Sequence, residues 1–260
     1  MEYANKLILV EKLEKKVALV TLNNPPLNMV TLELSAELVE TMKKLDKDED
    51  VRAVVLTGSG DKAFCVGSNV KEFPTVWDDP VGKKMRRENE AFNSIEFLSK
   101  PVIAAMEGTV CGGGAEMSMA CDIRILAENG RMGFPEVNLG VFPASGGAFR
   151  LPKLVGPAVA LEMMYLGEFV DAQECRRIGL VNHVAPAGGA VKAAIAIAEK
   201  IAAKPLASLK VIKRSTRELG YKTAAEAFYP NLDFSVELFQ SPDCAEGVAA
   251  FLEKRPPNFA

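Results

Sequence analysis

The chain has 260 residues, 48% of them hydrophobic, and a formal net charge of −3. This length can bury one large core with or without an appendage, and the slightly acidic balance argues against nucleic-acid binding. Five scattered cysteines favour a reducing, cytoplasm-like compartment, and without a signal-peptide pattern or an apolar run of about 20 residues we expect no membrane association.

The N-terminal part predicts strands that alternate with helices. Residues 6–11 and 16–22 are rich in Val, Leu and Ile on either side of a charged link, which predicts a β-hairpin. The apolar spacing over residues 31–46 indicates an amphipathic helix, and residues 52–57 have the character of a buried strand. Residues 61–80 have the character of a loop.

The alternation continues with a helix over 82–98, a strand over 101–107, a short helix and a strand over 123–127. Beyond residue 185 the strand signals disappear. Helical patterns follow instead, over residues 188–203, 205–219, 222–240 and 243–253. We therefore divide the chain into a core with the active site, residues 1–187, and a helical region, residues 188–260. The helical region is too short to bury a large core alone, so we expect it to pack on the core or on another subunit.

The most informative motif runs from Gly108 to Glu116 and contains three consecutive glycines, Gly112 to Gly114. Glycines between a strand and a helix leave backbone N–H groups unshielded by side chains. The first N–H groups of a helix have no partner within it and lie at its positive end. A negatively charged oxygen would be stabilised there, so we predict an oxyanion hole with Glu116 as an acid/base group at its rim.

Two further segments can complete this site. Glu136 follows Pro135 among apolar residues, and apolar surroundings raise the pKa of a carboxyl group, which suits a proton donor near neutral pH. Gly67, beside Ser68 and just beyond a strand-like segment, can supply a second free amide N–H. The sequence leaves open whether Glu116 and Glu136 face each other.

Together these segments resemble the crotonase superfamily, the enoyl-CoA hydratase/isomerase group. The likeness is carried in chain order by residues 24–28, 64–70, 108–122, 134–147, 150–156, 178–181 and 241–259. It implies an α/β fold with a spiral core of ββα units and a C-terminal helical trimerisation region, assembled as a homotrimer or homohexamer. It also implies an enoyl-CoA hydratase that acts on an acyl-CoA thioester without a metal or another cofactor.

The same resemblance assigns roles to four positions. The backbone amides of Ser68 and Gly113 would bind the thioester oxygen of a 2-enoyl-CoA. Glu116, as a carboxylate, would take a proton from water, and Glu136 would deliver a proton to C2. Isomerases of the family generally keep only the position of Glu136, so the presence of both glutamates favours water addition.

The resemblance also implies positions that contact the substrate and its coenzyme A moiety. These are Leu27, Met29, Cys65, Gly67, Asn69, Val70, Gly112, Pro135 and Pro143. The candidates for binding the CoA phosphates are Lys62, Lys71 and Lys254. The sequence departs from the family where Ser68 replaces a more usual alanine, Asn69 replaces aspartate, and Ala144–Ser145 replaces Gly–Ala. The acyl group therefore stays open, and we expect residues 72–98 to select it.

Alternatives remain in two classes. A Δ3-Δ2-enoyl-CoA isomerase, an acyl-CoA hydrolase or another lyase could use the same enolate chemistry. An inactive scaffold or an RNA-binding relative would be no enzyme. The acidic balance argues against RNA binding, and the two glutamates argue against a scaffold.

Overall fold

The computed structural model describes residues 3 and 5–259. Its strands are β1 (Ile8–Lys12), β2 (Val17–Leu22), β3 (Ala53–Gly58), β4 (Ala63–Cys65), β5 (Val102–Met106), β6 (Thr109–Cys111), β7 (Ile123–Ala127), β8 (Arg131–Gly133), β9 (Phe169–Asp171) and β10 (His183–Ala185). Its α-helices are α1 (Leu32–Lys47), α2 (Arg86–Glu96), α3 (Gly113–Ala120), α4 (Gly147–Val155), α5 (Pro157–Leu166), α6 (Ala172–Arg177), α7 (Ala190–Ala202), α8 (Leu206–Leu219), α9 (Ala224–Phe239) and α10 (Pro242–Glu253). Shorter helical turns are Glu14–Lys16, Val70–Thr75 and Pro135–Leu139, which are 3-10 turns, and Val81–Met85, a π turn.

Two sheets organise the core. The larger has the order β1-β2-β3-β5-β7-β10, and the smaller has the order β4-β6-β8-β9. Neighbouring strands are parallel except for the pairs β1/β2 and β8/β9. Three times the chain passes from the larger sheet to the smaller sheet and then into a helix: β3-β4-α2, β5-β6-α3 and β7-β8-α4. The predicted α/β spiral of ββα units is confirmed.

The larger sheet buries both of its faces. Along β3, Val54 and Leu56 belong to the main core with α1 and α2, while Ala53 and Val55 belong to a second apolar cluster. This alternation is the period of two that a strand imposes on its side chains. Buried strands of this kind have apolar residues on both faces, so they appear in the sequence as continuous apolar runs.

Helix α7 covers the second face of the larger sheet. It packs there with a row of small side chains spaced four apart, Ala190, Ala194, Ala198 and Ala202. Residues four apart lie on one face of a helix, and alanine lets that face approach the sheet closely. The first helix of region 188–260 thus packs on the core, as expected for a segment that cannot bury a core alone.

The four C-terminal helical predictions are confirmed by α7 to α10. The predicted loop over residues 61–80 is wrong at Ala63–Cys65, which forms β4, and at Val70–Thr75. The strand that leads into the three glycines is β6 rather than the longer β5. Strands of three residues are too short to show the alternation by which sequence reveals a strand.

Candidate active site

The first backbone arm of the site is the turn at Gly67 and Ser68, just after β4. Gly67 has a φ of +88°, and a Cβ atom there would lie 2.8 Å from the Gly113 nitrogen, so only glycine fits. The Gly67 carbonyl accepts from the Val30 N–H at 2.8 Å, and the Asn69 N–H donates to the Val30 carbonyl at 2.9 Å. The Ser68 N–H between them has no hydrogen-bond partner among the residues described.

The second arm is the start of α3. Gly113 is its first residue, and the Gly113 N–H likewise has no partner in the described part of the chain. A Cβ atom on Gly113 would lie 3.6 Å from the Ser68 nitrogen, so the two amides are close neighbours. Gly114 has no room for a side chain, because its Cβ atom would lie 2.1 Å from the Cys65 carbonyl oxygen. The glycines thus let α3 start directly against the Gly67 turn.

Glu116 lies in the first turn of α3 and is 3% exposed. Its Oε1 accepts the Gly147 N–H at 2.8 Å. Its pKa is raised to about 8, chiefly by burial and to a lesser extent by the nearby charges of Glu136 and Glu88, while the Gly147 N–H opposes the shift.

Glu136 lies on the turn Pro135–Leu139 on the other side of the glycines. A Cβ atom on Gly112 would lie 3.5 Å from its Oε1. Both carboxyl oxygens are buried, and neither has a hydrogen-bond partner within the described residues. Burial raises its pKa to about 7. A buried carboxyl group without a partner indicates a functional role rather than a structural one.

The raised pKa values of the two carboxyl groups define a pH range in which the pair shares one proton. With pKa values of about 8 for Glu116 and about 7 for Glu136, the pair holds one proton between these pH values. The Gly147 N–H is the contact that favours the carboxylate form of Glu116.

These groups share a cavity of about 520 Å³. The predicted site positions on its wall are Gly67, Ser68, Val70, Gly112, Gly113, Glu116, Pro135 and Glu136. The structure therefore brings together both predicted amides and both predicted carboxyl groups, although twenty residues separate Glu116 and Glu136 in sequence.

Other predicted positions stand behind this wall or beside it. Cys65 is fully buried in β4, and Asn69 accepts from the Lys71 N–H at the start of the turn Val70–Thr75. Leu27 is exposed and its carbonyl accepts from the Val66 N–H at 3.1 Å. Met29 and Pro143 do not line the cavity either. Contact of these residues with coenzyme A stays a prediction.

Residues missed at the sequence level form much of the cavity. The segment 72–98 supplies the apolar side chains Phe73, Val76, Trp77, Pro80 and Met85, together with Lys84 and Glu88. It was expected to select the acyl group, but no pattern in the sequence marked its individual residues. The candidate CoA cations Lys62, Lys71 and Lys254 are exposed and lie off the cavity wall.

The described residues contain neither a metal-binding cluster nor a membrane-spanning helix. Across residues 3 and 5–259, no group of three or more His, Cys, Asp or Glu is arranged to hold a metal ion. Over the same residues, no helix combines the length and apolar character needed to cross a membrane.

Within a spiral α/β fold, two unpaired amides beside two buried carboxyl groups form an arrangement that can bind an oxyanion and transfer protons. The family model for enoyl-CoA hydratase/isomerase matches residues 12–260. The crotonyl-CoA hydratase of Syntrophomonas wolfei is 35% identical over 260 residues, 100% of this chain and 99% of that protein. The short-chain-enoyl-CoA hydratase of Clostridium acetobutylicum is 36% identical over 250 residues, 95% of each chain. A crystal structure of enoyl-CoA hydratase from Bacillus anthracis matches with a TM-score of 0.94 and 33% identity, covering 98% of this chain and 99% of that one. The chain belongs to the enoyl-CoA hydratase/isomerase family.

Proposed function

We propose that this protein is an enoyl-CoA hydratase that adds water across the double bond of a 2-trans-enoyl-CoA. One observation carries the proposal: two unpaired backbone N–H groups and two buried carboxyl groups with raised pKa values share one cavity within the described residues. The relatives named as hydratases, similar over nearly their whole length, support it.

The amides of Ser68 and Gly113 would bind the thioester oxygen. As the water oxygen bonds to C3, the electron pair of the C2–C3 double bond moves toward the carbonyl group, and the oxygen gains negative charge. Preorganised N–H donors stabilise that charge more strongly than the neutral substrate, which lowers the barrier. Backbone donors at a helix start and a tight turn need no reorganisation during the reaction.

The carboxyl groups would move the protons. The Glu116 carboxylate takes a proton from the attacking water, and the enolate then takes a proton at C2 from Glu136. Glu116 ends protonated and Glu136 ionised, and one proton passed between them resets the pair. Both pKa values are raised toward neutral pH, so either carboxyl group can hold the starting proton there.

We propose an apolar acyl group, because Phe73, Val76, Trp77 and Met85 line the cavity.

The proposed reaction needs no resident metal or redox cofactor. All five cysteines are free, which supports a reducing compartment. Large exposed apolar side chains on α9 and α10, such as Phe239 and Phe251 at 80% and 82% exposure, support burial between subunits in a homotrimer or homohexamer.

Purified protein incubated with crotonyl-CoA tests the proposed reaction. We expect the absorbance of the conjugated thioester to fall and 3-hydroxybutyryl-CoA to form. Binding of crotonyl-CoA without loss of the conjugated absorbance would overturn the hydratase proposal, and appearance of a different product would favour another enolate reaction.

The rate should depend on pH in a bell shape. Below about pH 7 both carboxyl groups carry protons, so no base is available, and above about pH 8 neither does, so no acid is available. We expect kcat/KM for crotonyl-CoA to be greatest between these values and to fall on both sides. A rate that stays level from about pH 5 to about pH 10 would contradict the shared-proton assignment.

Glu136→Gln should stabilise the fold at alkaline pH. The pKa of Glu136 is raised from 4.5 to about 7 in the folded state, so burial of its carboxylate lowers stability above pH 7. This penalty is absent below the unfolded pKa of 4.5, grows as pH rises from there to about 7, and is complete above that pH. We expect the variant to gain about 1 to 3 kcal/mol near pH 9 and little near pH 5. Thermal unfolding at both pH values measures this, and an equal change at both would contradict it.

A further inference from the structure

A third buried carboxyl group, Glu88 of α2, lies on the wall of the same cavity and has no part in the proposed proton transfers. It is 2% exposed. Its Oε1 accepts the Ser68 hydroxyl at 2.7 Å, and its Oε2 accepts the Ser145 hydroxyl at 2.9 Å. The ammonium group of Lys84, one helical turn earlier, forms an ion pair with Oε1. Both oxygens are therefore engaged by groups from three separate segments.

The two serines belong to two different parts of the proposed active site, the oxyanion hole and the turn that contacts Glu116. The backbone amide of Ser68 is one arm of the oxyanion hole. Ser145 stands two residues before Gly147, whose N–H holds Oε1 of Glu116. The two oxygens of Glu88 therefore link the Ser68 turn, which supplies the oxyanion donor, to the Ser145–Gly147 turn, which orients Glu116.

Side chains of α2 also contact the backbone of the turn that contains Ser145. The Asn89 side chain donates to the Ala144 carbonyl at 3.2 Å. Arg150, in the first turn of α4, donates to the Ser145 carbonyl at 3.1 Å and forms an ion pair with Glu96 of α2. The segment from Ala144 to Arg150 is thus fixed to α2 at several points, and Glu88 is the point that lies on the cavity wall.

The charge of a carboxylate explains why this residue type suits the position between the two serine hydroxyls. Hydrogen bonds to a charged acceptor are stronger than those between neutral groups, so an ionised Glu88 fixes both hydroxyls firmly. Lys84 balances the buried charge, because an unpaired buried carboxylate is strongly destabilising.

We propose that Glu88, balanced by Lys84, is a positioning residue that fixes the Ser68 amide of the oxyanion hole relative to the Ser145–Gly147 turn that orients Glu116. This inference rests on the hydratase function proposed above. Glu88 would not react with the substrate itself, because it acts through the two serines on the groups that do contact the substrate.

A double-mutant cycle with crotonyl-CoA tests the proposal. Ser68→Ala keeps the backbone amide and removes only the hydroxyl bound to Glu88. The paired replacement Lys84→Met with Glu88→Leu removes the acceptor without leaving an unpaired buried charge, and such apolar replacements of an ion pair commonly retain the fold. We expect Ser68→Ala to lower kcat about tenfold in the wild type, with KM little changed. In the background that carries the paired replacement it should lower kcat less than about twofold.

Ser145→Ala should behave in the same way as Ser68→Ala. Ser94→Ala is the matched control, because Ser94 lies on α2 like Glu88 and, among the described residues, its hydroxyl donates only to the Ala91 carbonyl of that helix. We expect no change in kcat for this control. An equal effect of Ser68→Ala with and without Glu88 would overturn the proposal.

A spectroscopic readout separates this inference from the hydratase assignment. Cinnamoyl-CoA is a conjugated thioester whose absorbance moves to longer wavelength when its carbonyl group is polarised. We expect the bound thioester to show a smaller shift in Ser68→Ala, and no further decrease when Ser68→Ala is added to the Lys84→Met, Glu88→Leu pair. Failure of the wild type to hydrate crotonyl-CoA would overturn only the hydratase assignment. Equal spectral losses in both backgrounds would overturn the role of Glu88.

Discussion

Glu136→Gln should lower kcat for crotonyl-CoA hydration by about 100- to 10,000-fold, the usual contribution of a positioned acid or base. The amide has the size of the carboxyl group but cannot deliver a proton to C2. KM should change little, because both Glu136 oxygens lack partners within the described residues and hold no other part of the site in place. Steady-state kinetics near pH 7.5 measure both parameters.

Glu162→Gln is the matched control, since Glu162 is an exposed glutamate on α5 that lies off the cavity wall. Its rate should equal that of the wild type. Retention of more than about a tenth of the wild-type kcat by Glu136→Gln would show that the proton at C2 comes from another group.

Gly113→Pro should lower kcat/KM by about 100- to 1,000-fold or more, the effect of removing one oxyanion donor. Proline has no N–H, and its ring carbon takes the place of the hydrogen that points into the cavity. The change suits the local backbone, because Gly113 is the first residue of α3, where proline is favoured and no intrahelical hydrogen bond is lost.

Gly113→Ala is the control for this position. A Cβ atom on Gly113 would meet its neighbours at 3.5 to 3.7 Å, which is ordinary van der Waals contact, and the N–H stays in place. We expect this variant to keep most of the activity. Equal losses in the proline and alanine variants would assign the effect to the side chain and would remove Gly113 from the oxyanion hole.

The placement of the candidate site residues was predictable because backbone constraints determine it. A run of three glycines at the start of a helix indicates close backbone approach, and the structure shows that approach at Gly114 and at its neighbour Gly67. Glu116 follows at a fixed distance along α3. The apolar neighbours of Glu136 indicated a raised pKa, and burial produces one.

The support of the centre was not predictable in the same way. Lys84 and Glu88 stand four residues apart on a helix, a spacing typical of exposed ion pairs, yet both are about 2% exposed. Only the tertiary fold shows that the turn at Ser68 and the turn at Ser145 meet this helix. Likewise, β4, β6 and β8 are three residues long, and parallel pairing in the smaller sheet rather than a sequence pattern defines them.

A crystal structure of the Glu136→Gln variant with bound crotonyl-CoA is the most direct test of the proposed substrate binding and mechanism. We predict the thioester oxygen at about 2.7 to 3.1 Å from the nitrogens of both Ser68 and Gly113, with C2 and C3 between the side chains at positions 116 and 136. A thioester bound outside this cavity, or an oxygen turned away from either amide, would contradict the account.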